Sequence, residues 1–278
     1  MASVSVSKAV VVVGVSYMPG LGYAIAKKFA SSGHAVGMIG RQQDRLDACR
    51  AAILAECPSA KILGAAADVT DPDQCATAFA ALRAAHGDPD CLCYNISARP
   101  FPPAPVGAID PSRLESDWKT GPYAALLCVQ QVLPAMKAAG TGAILFTGAS
   151  ASLRGSAKFG SFAVNKCGLR ALAQSLAREE APGGVHVAHV VVDAMVDMPV
   201  IHDFIEKGFI EAAPGRLLDT GSAADVYWQL YEQDKRCMAF EVDLQARLPR
   251  HLEVCRQQRA QEQFVGGVLP LPHRIRSG

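Results

Sequence analysis

At 278 residues, half of them hydrophobic and 19% charged, the chain is long and apolar enough to bury one or two cores, which excludes a wholly disordered protein. Its 27 Lys+Arg against 26 Asp+Glu leave a net charge of +1, so bulk charge draws it neither to nucleic acid nor to an anionic membrane. The longest apolar run near the N-terminus, 9–15, falls far short of the roughly 18 residues a membrane-spanning helix needs. Residues 1–8 lack the features of a signal or transit peptide, so a cytoplasmic protein is expected. The nine cysteines are odd in number and form no CxxC pair, which suggests reduced, buried thiols rather than a disulfide framework or a metal site.

In chain order, a strand is expected over 9–14, then a glycine-bearing turn and a helix over 20–32. Strands over 35–40 and 61–67 alternate with helices over 44–56 and 71–86, and a fourth strand follows over 91–95. The proline-rich stretch 100–105 is extended or turning, a surface loop beside the carboxyl edge of the sheet. A long helix over 114–139, a strand over 143–147, a helix over 159–181 and a strand over 186–192 continue the alternation. Helices over 201–209 and 222–233, an edge strand over 240–244 and a further helix over 249–263 complete the chain, and 266–278 has no periodicity. Unbroken apolar strands indicate burial on both faces, and strict alternation indicates right-handed βαβ units. The expectation is α/β, a doubly wound parallel sheet flanked by helices in a single domain over 1–248. A C-terminal helix and tail, 249–278, is expected to pack on it or on a neighbouring subunit.

The first strand leads into GVSYMPGLG, residues 14–22, and then a helix. A dinucleotide pyrophosphate requires that context: glycines let the backbone approach the phosphates, and the helix N-terminus offers unpaired N–H groups. The candidate contacts are Gly14, Ser16, Tyr17, Gly20, Leu21 and Gly22, in a Rossmann-type arrangement.

From here to about residue 199 the sequence resembles the short-chain dehydrogenase/reductase family. The glycine loop is two residues longer than that family's usual one and is similar in spacing to that of bacterial enoyl-acyl carrier protein reductases. Where strand two ends, Arg41 stands in place of the acidic residue that would accept from the adenosine ribose, which points to the 2′-phosphate of NADP, with NAD as the alternative. The competing reading of Arg41 is the start of a solvated helix. Asp68-Val69-Thr70-Asp71 is similar to the family's DVTD segment, which implies that Asp68 and Val69 meet the adenine while Asp71 caps the next helix. Tyr94-Asn95-Ile96-Ser97 resembles the family's NNAG with its second Asn kept, so Asn95 would brace the sheet edge under the cofactor.

The resemblance also implies a catalytic Tyr four residues before a Lys, and a Ser thirteen before the Tyr. Lys166 is present, but the Tyr position holds Phe162 and the Ser position holds Ala149, with Ser150 one residue away. No tyrosine lies between residues 124 and 226, and phenylalanine has no proton to give. The family's helix Asn would fall near Trp118, and the Thr that would meet the nicotinamide amide is Met198, leaving backbone near Val196 for that contact. Lys166 would also hold the nicotinamide ribose; the alternative is a lysine snorkelling to solvent. Tyr94 or Tyr123 could reach the cleft from neighbouring elements.

These features lead to an NADP-dependent oxidoreductase acting on a carbonyl, alcohol or enone with nonstandard proton delivery. A noncatalytic NADP-binding protein, sensing cofactor or recruiting a partner, is the rival reading. No metal is expected, since His186 and His189 would point to opposite faces of a strand. Cys167 is expected in the core. The family resemblance implies a homodimer or homotetramer paired through 114–139 and 159–181, with a small-molecule substrate held by 99–116 and 199–221. Neither a nucleic-acid nor a membrane partner is expected.

Overall fold

The computed structural model describes residues 8–98, 102–208 and 217–246. Its strands are β1 (Ala9–Val13), β2 (Ala35–Gly40), β3 (Ile62–Ala66), β4 (Cys91–Tyr94), β5 (Gly142–Thr147), β6 (Val185–Val192), β7 (Met195–Val196), β8 (Leu217–Leu218) and β9 (Glu241–Leu244). The helices are α1 (Leu21–Ser31), α2 (Gln43–Glu56), α3 (Pro72–His86), α4 (Pro111–Trp118), α5 (Ala124–Ala139), α6 (Gly160–Glu180), α7 (Pro199–Glu206) and α8 (Thr220–Tyr231). Seven strands form one parallel sheet in the order β3-β2-β1-β4-β5-β6-β9, while β7 and β8 pair separately. This is the single α/β domain expected. Among the described residues no helix is long and apolar enough to cross a membrane.

The sheet has two buried faces because its strands have no polar side. All five residues of β1 are buried; Val10 and Val12 join the core beneath α1 and α8, Val11 and Val13 the core beneath α3, α5 and α6. Phe29 of α1 and Tyr227 of α8 fill the first core, Phe79 of α3 and Leu169 of α6 the second. Each such side chain contributes about 1.5–3 kcal/mol by leaving water. Aspartates start three helices: Asp71 accepts from the Asp73 and Gln74 N–H groups, Asp110 from Ser112 and Asp219 from Ser222.

β1 is flanked by β2 and β4, so the chain moves outward to β3 and returns across the sheet to β4. A crevice at the carboxyl ends of β1 and β4 follows from that reversal.

Most elements agree with the sequence to within one or two residues. The expected long helix 114–139 is instead α4, a wide turn over Lys119–Tyr123, and α5. Gly121 leaves helical geometry there (φ −94°, ψ −109°), and Pro122 has no N–H to donate. The pairing of β7 with β8 was not anticipated, since two-residue strands carry no readable period. The helix expected over 201–209 starts earlier, with Pro199 in its first turn, where a missing N–H costs nothing. The expected helix 249–263 and tail lie outside the described residues.

Candidate active site

The glycine turn is shaped by close backbone approaches. Gly14 has φ +100°, and a Cβ there would sit 2.8 Å from the Asn95 carbonyl. At Gly22 a Cβ would meet the Gly14 oxygen at 2.6 Å, and at Gly20 the Tyr17 oxygen at 2.8 Å. The turn therefore closes only with glycine at all three positions. Helix α1 begins without a side-chain cap or an acidic residue in its first turn, so its leading N–H groups face the crevice unopposed. This cradle fits a pyrophosphate. Ser16 and Tyr17 line it half-buried, and Leu21 anchors the helix start in the core.

Arg41 is exposed just past the end of β2. A second cation, Arg45 of α2, lies over the Tyr17 ring at 4.6 Å, bracing the glycine turn. Asp68 Oδ1 accepts from both the N–H and the hydroxyl of Thr70, at 3.0 and 2.7 Å, and Val69 is buried beside it. Capping of α3 falls to Asp71, which leaves Asp68 at the carboxyl edge of β3. Asn95 follows β4 and donates Nδ2 to the Gly14 carbonyl at 3.4 Å, tying the two strands across the crevice.

Lys166 is 1% exposed, so it does not snorkel. Its Nζ donates to the Thr147 carbonyl at 2.8 Å and the Ile96 carbonyl at 3.2 Å, joining the ends of β5 and β4. No carboxylate among the described residues pairs with it. Burial alone pushes its pKa down from 10.5 to about 7. Phe162 lies one turn earlier on α6, half-buried. Beside it a shallow depression, with room for little more than a water molecule, is lined by Arg113, Lys158, Phe159 and Ser161.

Ala149 and Ser150 begin the turn after β5, with Ser150 half-buried. The buried hydroxyl of that turn belongs to Ser152, which accepts from the Ala149 N–H at 3.1 Å. Val196 in β7 and Met198 at the start of α7 lie beyond β6.

Several expectations are corrected. Tyr94 is fully buried and donates its phenol to the Thr120 carbonyl at 2.7 Å, so it braces the kinked turn. Tyr123 packs against Trp118 at 5.6 Å. Trp118 itself is 43% exposed; the polar groups at the kink are Asp117, Ser161 and Asn165. Ser161 donates to Asp117 Oδ2 at 2.6 Å, and Asn165 Nδ2 donates to the Asp117 carbonyl. Cys167 is exposed, since it sits about 100° around α6 from Lys166. Cys237 is exposed too, whereas Cys75, Cys91, Cys93 and Cys128 are buried thiols as expected. His186 and His189 do face opposite ways, His186 toward the Leu230 and Ala239 carbonyls and His189 toward Glu241. Ser152, Asn165, His189 and Glu241 carried no motif; the visible hint was the histidines within the otherwise apolar β6 and an asparagine beside Lys166 on α6.

A sequence profile for short chain dehydrogenases matches residues 8–204. Among curated proteins, the chain is 29% identical over 168 residues to oxidoreductase asL5 of Sarocladium schorii. That match covers 60% of this chain and 65% of the relative, just under two thirds of its length. A short-chain dehydrogenase from Rhodopseudomonas palustris superposes with a TM-score of 0.70 at 30% identity, covering 85% of this chain and 98% of that one. A metagenomic short-chain oxidoreductase in complex with NADP gives a TM-score of 0.73 at 26% identity, with coverages of 88% and 100%.

Proposed function

The chain belongs to the short chain dehydrogenase family, and on that premise we propose that it is an NADP-dependent oxidoreductase that reduces an activated carbonyl or enone, with Lys166 as the proton source. Lys166 carries this reading. A fully buried amine whose pKa is near 7 holds a proton for about half the time at neutral pH and releases it readily, as a general acid must. The NADP-bound relative and the exposed Arg41 support NADP over NAD.

NADPH, when bound, supplies the hydride. The N–H groups leading α1, together with Gly14, Ser16, Tyr17 and Gly20, would hold its pyrophosphate; Asp68 and Val69 would flank the adenine; Asn95, Lys166 and backbone near Val196 would meet its reactive end. The Thr147 and Ile96 carbonyls hold the Lys166 amine at the sheet edge, where a developing oxyanion can take its proton. Phe162 excludes water and offers no competing proton. A substrate that spreads its own developing charge, such as an enone, asks least of this arrangement. The exposed Leu126 of α5 and Val164 of α6 support pairing of two copies through these helices.

The test is stopped-flow mixing of the NADPH-saturated protein with aldehydes, ketones and enones, following nicotinamide absorbance. Oxidation that fails in Lys166→Ala while NADPH still binds is the expected result. Tight NADPH binding without oxidation of any panel member would favour a noncatalytic cofactor-binding protein.

A further inference from the structure

Arg170 lies one turn beyond Lys166 on α6, and the two cations meet different surroundings. Arg170 forks onto Glu241 of β9, with Nη2 to Oε1 at 2.8 Å and Nε to Oε2. The same Oε2 accepts from His189 Nδ1 at 2.9 Å. Lys166 is served by carbonyl oxygens alone among the described residues.

His189 is fully buried, and its Nε2 has no partner among the described residues. Because Nδ1 keeps its proton and donates it in a hydrogen bond to Glu241, Nε2 carries the lone pair and the ring is neutral. Burial outweighs the attraction of Glu241 and pushes the His189 pKa down to about 4. The ring presses on the turn after β5: a Cβ at Gly148 would collide with Nε2 and lie 2.9 Å from Ser152 Oγ. Gly148 directly follows Thr147, whose carbonyl holds Lys166 Nζ. In the sheet, β6 runs between β5 and β9, so His189 stands between the lysine's anchor and Glu241. Of the other titratable groups on the surrounding elements, the buried Tyr227 phenol of α8 shares a 2.7 Å hydrogen bond with the Thr147 hydroxyl, and the Lys166 and Arg170 charges both disfavour a proton on His189. Tyr94 of β4 is turned to the Thr120 carbonyl, Asp117 of α4 to Ser161 and Cys167 of α6 to the Ala151 carbonyl.

We infer that His189 is a positioning residue for Lys166: its neutral ring walls the amine off from the Glu241 carboxylate and fixes the turn whose carbonyl the amine grips. An opposite charge brought within roughly 4–6 Å would favour the ammonium and leave the lysine a poor proton donor. A histidine supplies both a donor for Glu241 and an uncharged aromatic face. The catalytic consequence rests on the proton-source reading above; the shielding itself is measured without turnover.

The measurement is a ¹³C NMR titration of the full chain labelled at lysine Cε, with the Lys166 signal assigned by its loss in Lys166→Arg. His189→Ala opens the wall, and the expected result is proton binding at Lys166 about tenfold tighter or more. Adding Glu241→Gln to that variant should reverse much of the gain, and Glu241→Gln alone should change little, because the wall is intact. His189→Phe keeps the wall without the nitrogens and should titrate close to wild type. An unchanged Lys166 titration in folded His189→Ala overturns the inference, as does a gain that persists in full in the double variant. If His189→Ala does not fold, His189→Phe and Glu241→Gln carry the test, and a large shift in either overturns it. A wild-type midpoint near the ordinary lysine value would remove the proton-source reading, while differences among variants would still decide the shielding.

Discussion

Along the β1 and β2 wall of the crevice the ligand-facing groups are mostly backbone: glycine turns, helix-leading N–H groups and strand-end carbonyls. Along β5 and α6 they are side chains, with Phe162, Ala149 and a Lys166 that no carboxylate among the described residues pairs. Backbone recognition survives many substitutions provided that glycine stays where a Cβ would collide. Side-chain chemistry changes with a single residue. A protein can thus keep its cofactor wall while its reactive wall is rebuilt, and each wall can be probed separately.

The largest expected effect lies on the reactive wall. Lys166→Ala should slow single-turnover hydride transfer by about 10²–10⁴-fold, with NADPH affinity changed far less; equal losses in both would erase the distinction between the walls. On the other wall, Gly22→Ala forces a Cβ to within 2.6 Å of the Gly14 oxygen. It should weaken NADPH binding by about 100-fold or more, read by fluorescence titration, through roughly 3 kcal/mol of strain and lost approach.

Lys166 should also be visible in stability. Its folded pKa of about 7 lies below the unfolded 10.5, so between these values the unfolded chain binds more protons and stability rises with pH; below pH 7 the full cost of burial remains. Lys166→Met should therefore stabilise the protein by about 1–4 kcal/mol at pH 6 and flatten the pH dependence between 7 and 10, as urea unfolding would report. His189 acts in an acid window: folded pKa about 4 against 6.5, so its contribution is present above pH 6.5 and lost as pH falls toward 4. The smallest effect belongs to Arg41→Asp, which should shift the NADPH-to-NADH affinity ratio by roughly tenfold toward NADH, about 1.4 kcal/mol. Equal affinities in the wild type would remove the 2′-phosphate assignment.

The sheet was legible because a strand buried on both faces leaves an unbroken apolar run, as in AVVVV of β1. The glycine turn was legible because its spacing reflects local backbone geometry. The kink at Gly121 escaped because the apolar period of α5 extends back in the sequence through α4, whose Leu114 and Trp118 are in fact exposed. Cys167 was misplaced because a thiol on a helix defaults to the core, although its angle from Lys166 puts it outside. His189 and Glu241 are 52 residues apart, and they meet only because β9 pairs with β6; no local pattern encodes that encounter.

At the kink, a Cβ at Gly121 would lie 2.6 Å from the Asn165 amide nitrogen that holds the Asp117 carbonyl. The two positions are contingent on one another. An asparagine at 165 has room only in a chain bare at 121, and a side chain added at 121 would meet the Asn165 backbone carbonyl oxygen at 3.0 Å as well as its amide. The two positions therefore form one unit, and neither can be exchanged as though the other were absent.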